Sequence, residues 1–162
     1  MHGAVVRRGT LGDARALIAM HRECAPETLE ARFLTPMPNL TAEQAVELLQ
    51  PVDGFSLVAD ASGTLAGLIT VAPGADRIAA VGLLVSDAWH GRGIGTALLH
   101  AAVREATAAG IAELHFTVHP TNTAVYPMIN AAGLRARVST REGITSVDIP
   151  LHTPSPSSST HP

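Results

Sequence analysis

The stretch between Val81 and Ala109 limits what this chain can fold into more than any other part of it. Val81-Gly82-Leu83-Leu84-Val85 is an apolar run of strand length, Ser86-Asp87-Ala88-Trp89 follows, and His90-Gly91-Arg92-Gly93-Ile94-Gly95 then opens an alanine-rich segment with helical composition that Gly110 ends. A buried strand is thus joined to a helix through three alternate glycines. Without side chains in the way, main-chain N–H groups can come close to a ligand. The helix N-terminus adds unpaired donors and the positive end of its dipole, a combination that suits a pyrophosphate, and Thr96 can add a hydroxyl. The same spacing would also serve a tight strand-to-helix connection that binds nothing. It does not fit the dinucleotide fingerprint G-x-G-x-x-G, because counting from Gly91 puts Thr96 where the third glycine belongs, and no parallel βαβ unit with a ribose-binding acid follows.

Several function classes drop out on composition. All 11 basic residues are arginine, so a Walker-type phosphate loop, which needs a lysine, is excluded. The formal net charge of −3 gives no positive field to hold nucleic acid. No apolar run reaches the roughly 18 residues of a membrane span, and the N-terminus has no stretch of signal-peptide type. Cys24, the single cysteine, has no partner in the chain. These features point to a soluble cytoplasmic protein with neither nucleic acid nor membrane as partner. The length of 162 residues suits one domain. It is expected over residues 1–151, with the low-complexity Thr/Pro/Ser tail at 152–162 disordered.

Along the chain, residues 4–8 read as a first strand and residues 12–24 as an amphipathic helix with Ala14, Leu17, Ile18 and His21 on one face. Thr41-Ala42-Glu43-Gln44 has the form of a capping box and starts a second helix through Leu49, which Pro51 ends. Residues 55–60 and 64–71 form a hairpin about Ala61-Ser62-Gly63, and Arg77–Val85 is the third strand of the group. After the helix that follows the glycines, a strand at 112–118, a helix at 122–132 closed by Gly133, and a hairpin at 134–140 and 144–149 complete the order βααβββαβαββ.

The loop spacing resembles the acyl-CoA signature of the GNAT superfamily of N-acetyltransferases, Q/R-x-x-G-x-G/A. Gly93 and Gly95 stand on its two glycine positions and His90 replaces the usual Gln or Arg. The resemblance extends over residues 4–150 and includes Val118-His119-Pro120-Thr121-Asn122 followed by Gly133-Leu134. His21-Arg22-Glu23-Cys24-Ala25-Pro26-Glu27-Thr28 with Arg32-Phe33-Leu34 is similar to the acetyltransferase domain of bacterial protein lysine acetyltransferases. In those larger proteins the domain is often fused to a nucleotide-binding or synthetase-like region. Here the resemblance is to the acetyltransferase unit alone, so regulation through a fused domain is not expected.

The resemblance implies an α+β fold, a mostly antiparallel, twisted central sheet of six to seven strands flanked by about four helices. It implies acetyl-CoA as co-substrate and an amine acceptor, without a metal. The cofactor would be held by Leu84, Val85, His90, Gly91, Arg92, Gly93, Ile94, Gly95, Thr96 and Asn122. Asn122 reads equally well as the N-cap of the helix that follows it. Oligomeric state stays open, a homodimer being one assembly to consider.

The catalytic side chains are less clear. Amine acetylation needs a neutral amine, a route for its proton, polarisation of the carbonyl and a proton for the leaving thiolate. Polarisation would come from a backbone N–H where the third strand splays from its neighbour, as the resemblance suggests for Leu84 and Val85. Where related protein acetyltransferases carry a glutamate, nine residues before Trp89, this chain has Ala80. Where many relatives carry a tyrosine acid, seven residues after the asparagine, it has Ile129. Tyr126 shares a helix face with Asn122 and is a candidate acid, or an aromatic packed under the helix. His115 and His119 lie on the preceding strand, with His119 nearer the expected site, and imidazole titrates close to neutrality. Glu27, Glu30 and Glu142 could supply an acidic rim. Two functions therefore remain in play, an acetyl-CoA-dependent N-acetyltransferase and a catalytically weak or inactive acyl-CoA sensor.

Overall fold

The computed structural model describes residues 3–26, 39–118 and 125–151. The chain runs β1 (Val5–Arg8), a 3-10 turn (Leu11–Asp13), α1 (Ala14–Glu23), α2 (Ala42–Leu49), β2 (Phe55–Ala61), β3 (Thr64–Pro73), β4 (Ile78–Val85), α3 (Ile94–Ala108), β5 (Glu113–Val118), α4 (Val125–Ala131), β6 (Arg137–Arg141) and β7 (Ile144–Pro150). Among the described residues the order is the one read from the sequence. The expected tail at 152–162 lies outside the described residues, as do Glu27, Glu30 and Arg32-Phe33-Leu34. None of the described helices is long and apolar enough to cross a membrane.

The strands form one seven-stranded sheet in the order β1-β2-β3-β4-β5-β7-β6, and every neighbouring pair is antiparallel except β4 with β5. Because successive side chains alternate between faces, the sheet carries two cores. Ile69, Val71, Val81, Leu114 and Phe116 pack with Leu98 and Leu99 of α3 and Ile129 of α4. On the other face Val58, Leu68 and Leu84 pack with Leu17 and Met20 of α1 and Leu49 of α2. Gly67 of β3 lets α3 lie close to the sheet: a Cβ there would stand 2.9 Å from Leu98 Cδ1 and 3.0 Å from Ile94 Cγ2.

Polar contacts fix the helix starts. Thr41 N–H donates to Gln44 Oε1 at 2.9 Å and Gln44 N–H to Thr41 Oγ1 at 3.1 Å, the reciprocal box expected from the sequence. Asp13 accepts from Thr10 N–H at 2.9 Å and from two guanidinium nitrogens of Arg7 at 2.7 and 2.9 Å, and Arg7 also donates to Asp60 at 3.1 Å. This charged knot joins β1, the start of α1 and β2. The Arg7 guanidinium holds the Asp13 carboxyl below its ordinary range.

Several boundaries differ from expectation: β3 runs on to Pro73 rather than 71, and β6 begins at Arg137 rather than 134. α1 is shorter than residues 12–24 because Leu11–Asp13 is a 3-10 turn. β4 begins at Ile78 because Asp76 and Arg77 take left-handed conformations, φ 60° and 59°.

Candidate active site

The sheet opens where β4 meets β5. β4 stays in register with β3 from Ala79 to Val85, but with β5 only at Ile78↔Glu113, Ala79↔Leu114 and Ala80↔His115. β5 meanwhile follows β7 as far as Val118↔Thr145. Residues 81–85 and 116–118 therefore diverge as the arms of a fork whose apex is Ala80 and His115. Main-chain direction in the fork follows from the antiparallel ladder, in which bonded groups alternate. Ser86 N–H donates to Ala66 O at 2.8 Å, so the main-chain groups of Leu84 and Gly82 also turn toward β3. Those of Val81, Leu83 and Val85 turn into the fork. Val85 O agrees with this phasing, since it meets His90 Nε2 at 3.0 Å rather than β3. Of the two residues expected to offer an amide, Val85 faces the opening, whereas the Leu84 amide faces β3 and its side chain is buried against the α1 and α2 face. Leu83, not anticipated, joins Val85. Sequence periodicity shows that neighbours alternate but not which of them faces β3.

The glycine loop closes over the end of this arm. Gly91 and Gly93 have φ of 76° and 80°, and a Cβ at either would meet nothing within 4 Å. Both positions need glycine for backbone conformation alone. Gly93 is the N-cap of α3, and Ala97 N–H donates to Gly93 O at 3.0 Å. The amides of Ile94, Gly95 and Thr96 therefore stand in the first turn, without intrahelical acceptors. Ile94 is buried and anchors the turn, while Gly91, Arg92 and Gly93 are exposed. A Cβ on Gly95 would stand 2.8 Å from Met128 Sδ, and 3.6 Å from both Leu83 Cδ2 and Val85 Cγ2, so the helix start is wedged between β4 and α4. His90 bonds Val85 O with Nε2–H and ties the loop to the strand end. The Arg92 guanidinium lies 5.0 Å over the Trp89 ring. Exposed amides, a helix dipole and a fork beside them fit a diphosphate followed by an extended chain.

On the α1 and α2 face a groove of about 430 Å³ borders the fork. Ala80 and Gly82 of β4 and Thr70 of β3 line one side, and Gln44, Glu47 and Leu48 of α2 the other. The helix is held there by sheet hydroxyls that satisfy its last carbonyls, Thr70 Oγ1 to Leu48 O at 2.8 Å and Ser56 Oγ to Leu49 O at 2.6 Å. Ala80 brings only a methyl group to the groove. Ile129 is buried in the core and offers no proton. Tyr126 is half-buried against the same core on α4. Glu142 sits exposed in the turn between β6 and β7, with φ 54°. His119 and Asn122 lie outside the described residues.

Buried His21 has its imidazole pushed below the ordinary range by desolvation, and burial with nearby Asp87 pushes the Cys24 thiol up to about 11. Among the described residues no three His, Cys, Asp or Glu side chains gather as a metal site. Sequence reasoning named His115 without seeing its partner: Nδ1 lies 2.6 Å from Asp148 Oδ1, and Thr117 Oγ1 lies 3.3 Å from Nε2.

The model of the Acetyltransferase (GNAT) family matches residues 15–133. The fold is similar to the GNAT domain of S. lividans PAT, with a TM-score of 0.82 and 27% identity over 91% of this chain and 90% of that one. It is also similar to a GCN5-related N-acetyltransferase from Kribbella flavida, with a TM-score of 0.74 and 26% identity over 92% and 98% of the two chains. A phosphinothricin acetyltransferase from Sinorhizobium meliloti, solved with acetyl-CoA, shares the fold, with a TM-score of 0.73 and 20% identity over 92% and 89%. No curated protein matches the chain.

Proposed function

Because the chain belongs to the acetyltransferase (GNAT) family, we propose that it transfers an acetyl group from acetyl-CoA to a primary amine, on a protein lysine or a small molecule, by direct attack on the thioester. The observation that carries this reading is the fork between β4 and β5, which opens directly beside the left-handed glycine loop. Bound acetyl-CoA would supply the acetyl group as an activated thioester. The amides of Ile94, Gly95 and Thr96, with the exposed backbone at Gly91–Gly93, would hold its diphosphate. An amide of Leu83 or Val85 would donate to the carbonyl oxygen as negative charge develops there. The groove beside Ala80 would take the amine, its apolar side formed by Leu48 and its polar rim by Gln44 and Glu47. Tyr126 is the candidate for protonating the thiolate, and residues 1–151 are the unit to which the activity is assigned.

Calorimetric titration with CoA and acetyl-CoA tests the binding half. Absence of binding at about a millimolar, the upper end of ordinary KM values, would overturn it. Thiol release with acetyl-CoA and a panel of amines and lysine peptides tests transfer. A second reading, an acyl-CoA sensor, is favoured by the methyl group at Ala80 and the buried Ile129. Tight binding without CoA release on any acceptor would select it.

A further inference from the structure

One lateral row of the sheet runs Ala72, Ala80, His115, Asp148, Arg137 across β3, β4, β5, β7 and β6, each residue in register with the next. Leu114, Phe116 and Val118 are buried against α3 and α4, so His115 and Thr117 project from the opposite face, the face of Ala80 and the groove. His115 thus lies beside Ala80, the position that lacks a carboxylate, one strand spacing or about 4.8 Å away between main chains, with its imidazole bonded to Asp148 on β7. Nδ1 at 2.6 Å from Asp148 Oδ1 carries the proton of that hydrogen bond, which leaves the lone pair on Nε2 free to accept. Thr117 Oγ1, at 3.3 Å from Nε2, lies two residues further along β5, toward the open end of the fork.

Resting on the acetyl-transfer reading above, we propose that His115, oriented by Asp148, accepts the proton of the acceptor ammonium, directly or through the Thr117 hydroxyl, in place of a carboxylate at position 80. The ammonium gives one proton to Nε2, and the imidazolium formed is stabilised by Asp148. The freed lone pair forms the C–N bond, the C–S bond breaks with its electrons on sulfur, the thiolate takes a proton from the candidate acid Tyr126, and the second proton on nitrogen restores that phenol. The products are the amide, CoA thiol and one proton released from His115 to water. Asp148 is a positioning residue. On the same face of the sheet the charged side chains of Glu113 on β5 and Arg137 on β6 pair with each other, and Glu47 lines the groove beside Ala80.

The test uses the full chain with acetyl-CoA, and poly-L-lysine and spermidine as acceptors. His115→Gln should lower kcat/KM by about 10²- to 10⁴-fold, the usual contribution of general base catalysis, with the calorimetric Kd for CoA unchanged. Its rate should recover as pH rises and more amine is neutral. Asp148→Asn should lose less and move the acid limb of the profile to lower pH, because the imidazolium loses its counter-charge. Independently of turnover, imidazole ¹⁵N spectra should show His115 protonated on Nδ1 in the native protein and not in Asp148→Asn. A His115→Gln enzyme with native kcat/KM and acid limb, or a native imidazole protonated on Nε2, would overturn the proposal. A native chain that binds CoA but releases none with any amine overturns the reading beneath it.

Discussion

Replacing Gly93 with alanine separates the shape of the glycine loop from its binding role. Gly93 has φ 80° and ψ 10°, and its new Cβ would touch nothing within 4 Å, so the substitution adds backbone strain and no clash. A left-handed residue with a Cβ costs about 1–2 kcal/mol. If the free protein retains the loop shape, the whole strain lowers stability, by about 2–4 °C in Tm per kcal/mol for a domain of this size, and CoA affinity is unchanged. If the free loop relaxes, the strain returns on binding and Kd rises by up to about 5- to 30-fold. The two losses should therefore sum to about 1–2 kcal/mol. Gly63, at φ 95° in the turn between β2 and β3 and equally open, is the control: Gly63→Ala should lower Tm by a similar amount and leave Kd alone. Calorimetric unfolding and CoA titration of both variants read the two terms. A Gly93→Ala protein unchanged in both, or a Gly63→Ala protein that binds CoA as weakly as Gly93→Ala, would refute the reasoning.

Gly67→Ala should destabilise the fold by about 1–3 kcal/mol in urea titration, because its Cβ would press on Ile94 and Leu98 and push α3 off the sheet. The Asp13 carboxyl is held below its ordinary range by Arg7, so its contribution is fully present above the unfolded pKa of about 3.9 and is lost as pH falls through the folded value. Stability of the native chain measured by urea should drop below about pH 4, and Asp13→Asn should show a shallower drop from a lower starting point.

Local chemistry made much of this molecule legible in its sequence. Thr41 and Gln44 announce a helix start because the box needs only residues three apart, and Gly91, Gly93 and Gly110 mark left-handed turns that few other residues tolerate. The fork was expected only by resemblance, since residues 81–85 and 116–118 are each ordinary apolar strands and nothing local records that their pairing stops at Ala80 and His115. The same limit hid the phase of β4, so that Leu84 was expected beside Val85 where the ladder turns Leu83. The His115 and Asp148 pair depends on β7, rather than β6, lying beside β5, and the two residues are 33 positions apart. A hairpin pattern does not state which of its strands lies inside the sheet and which at its edge.

The central claim is that the loop at 90–96 and the open arm of β4 together receive acetyl-CoA. Backbone amide chemical shifts of the ¹⁵N-labelled chain, followed as acetyl-CoA is added to about a millimolar, test it most directly. The largest changes should fall on Gly91–Thr96, Leu83 and Val85, with the amide of Leu84, bonded within the sheet, moving less. Saturating shifts confined to other surfaces, or none at that concentration, would contradict it.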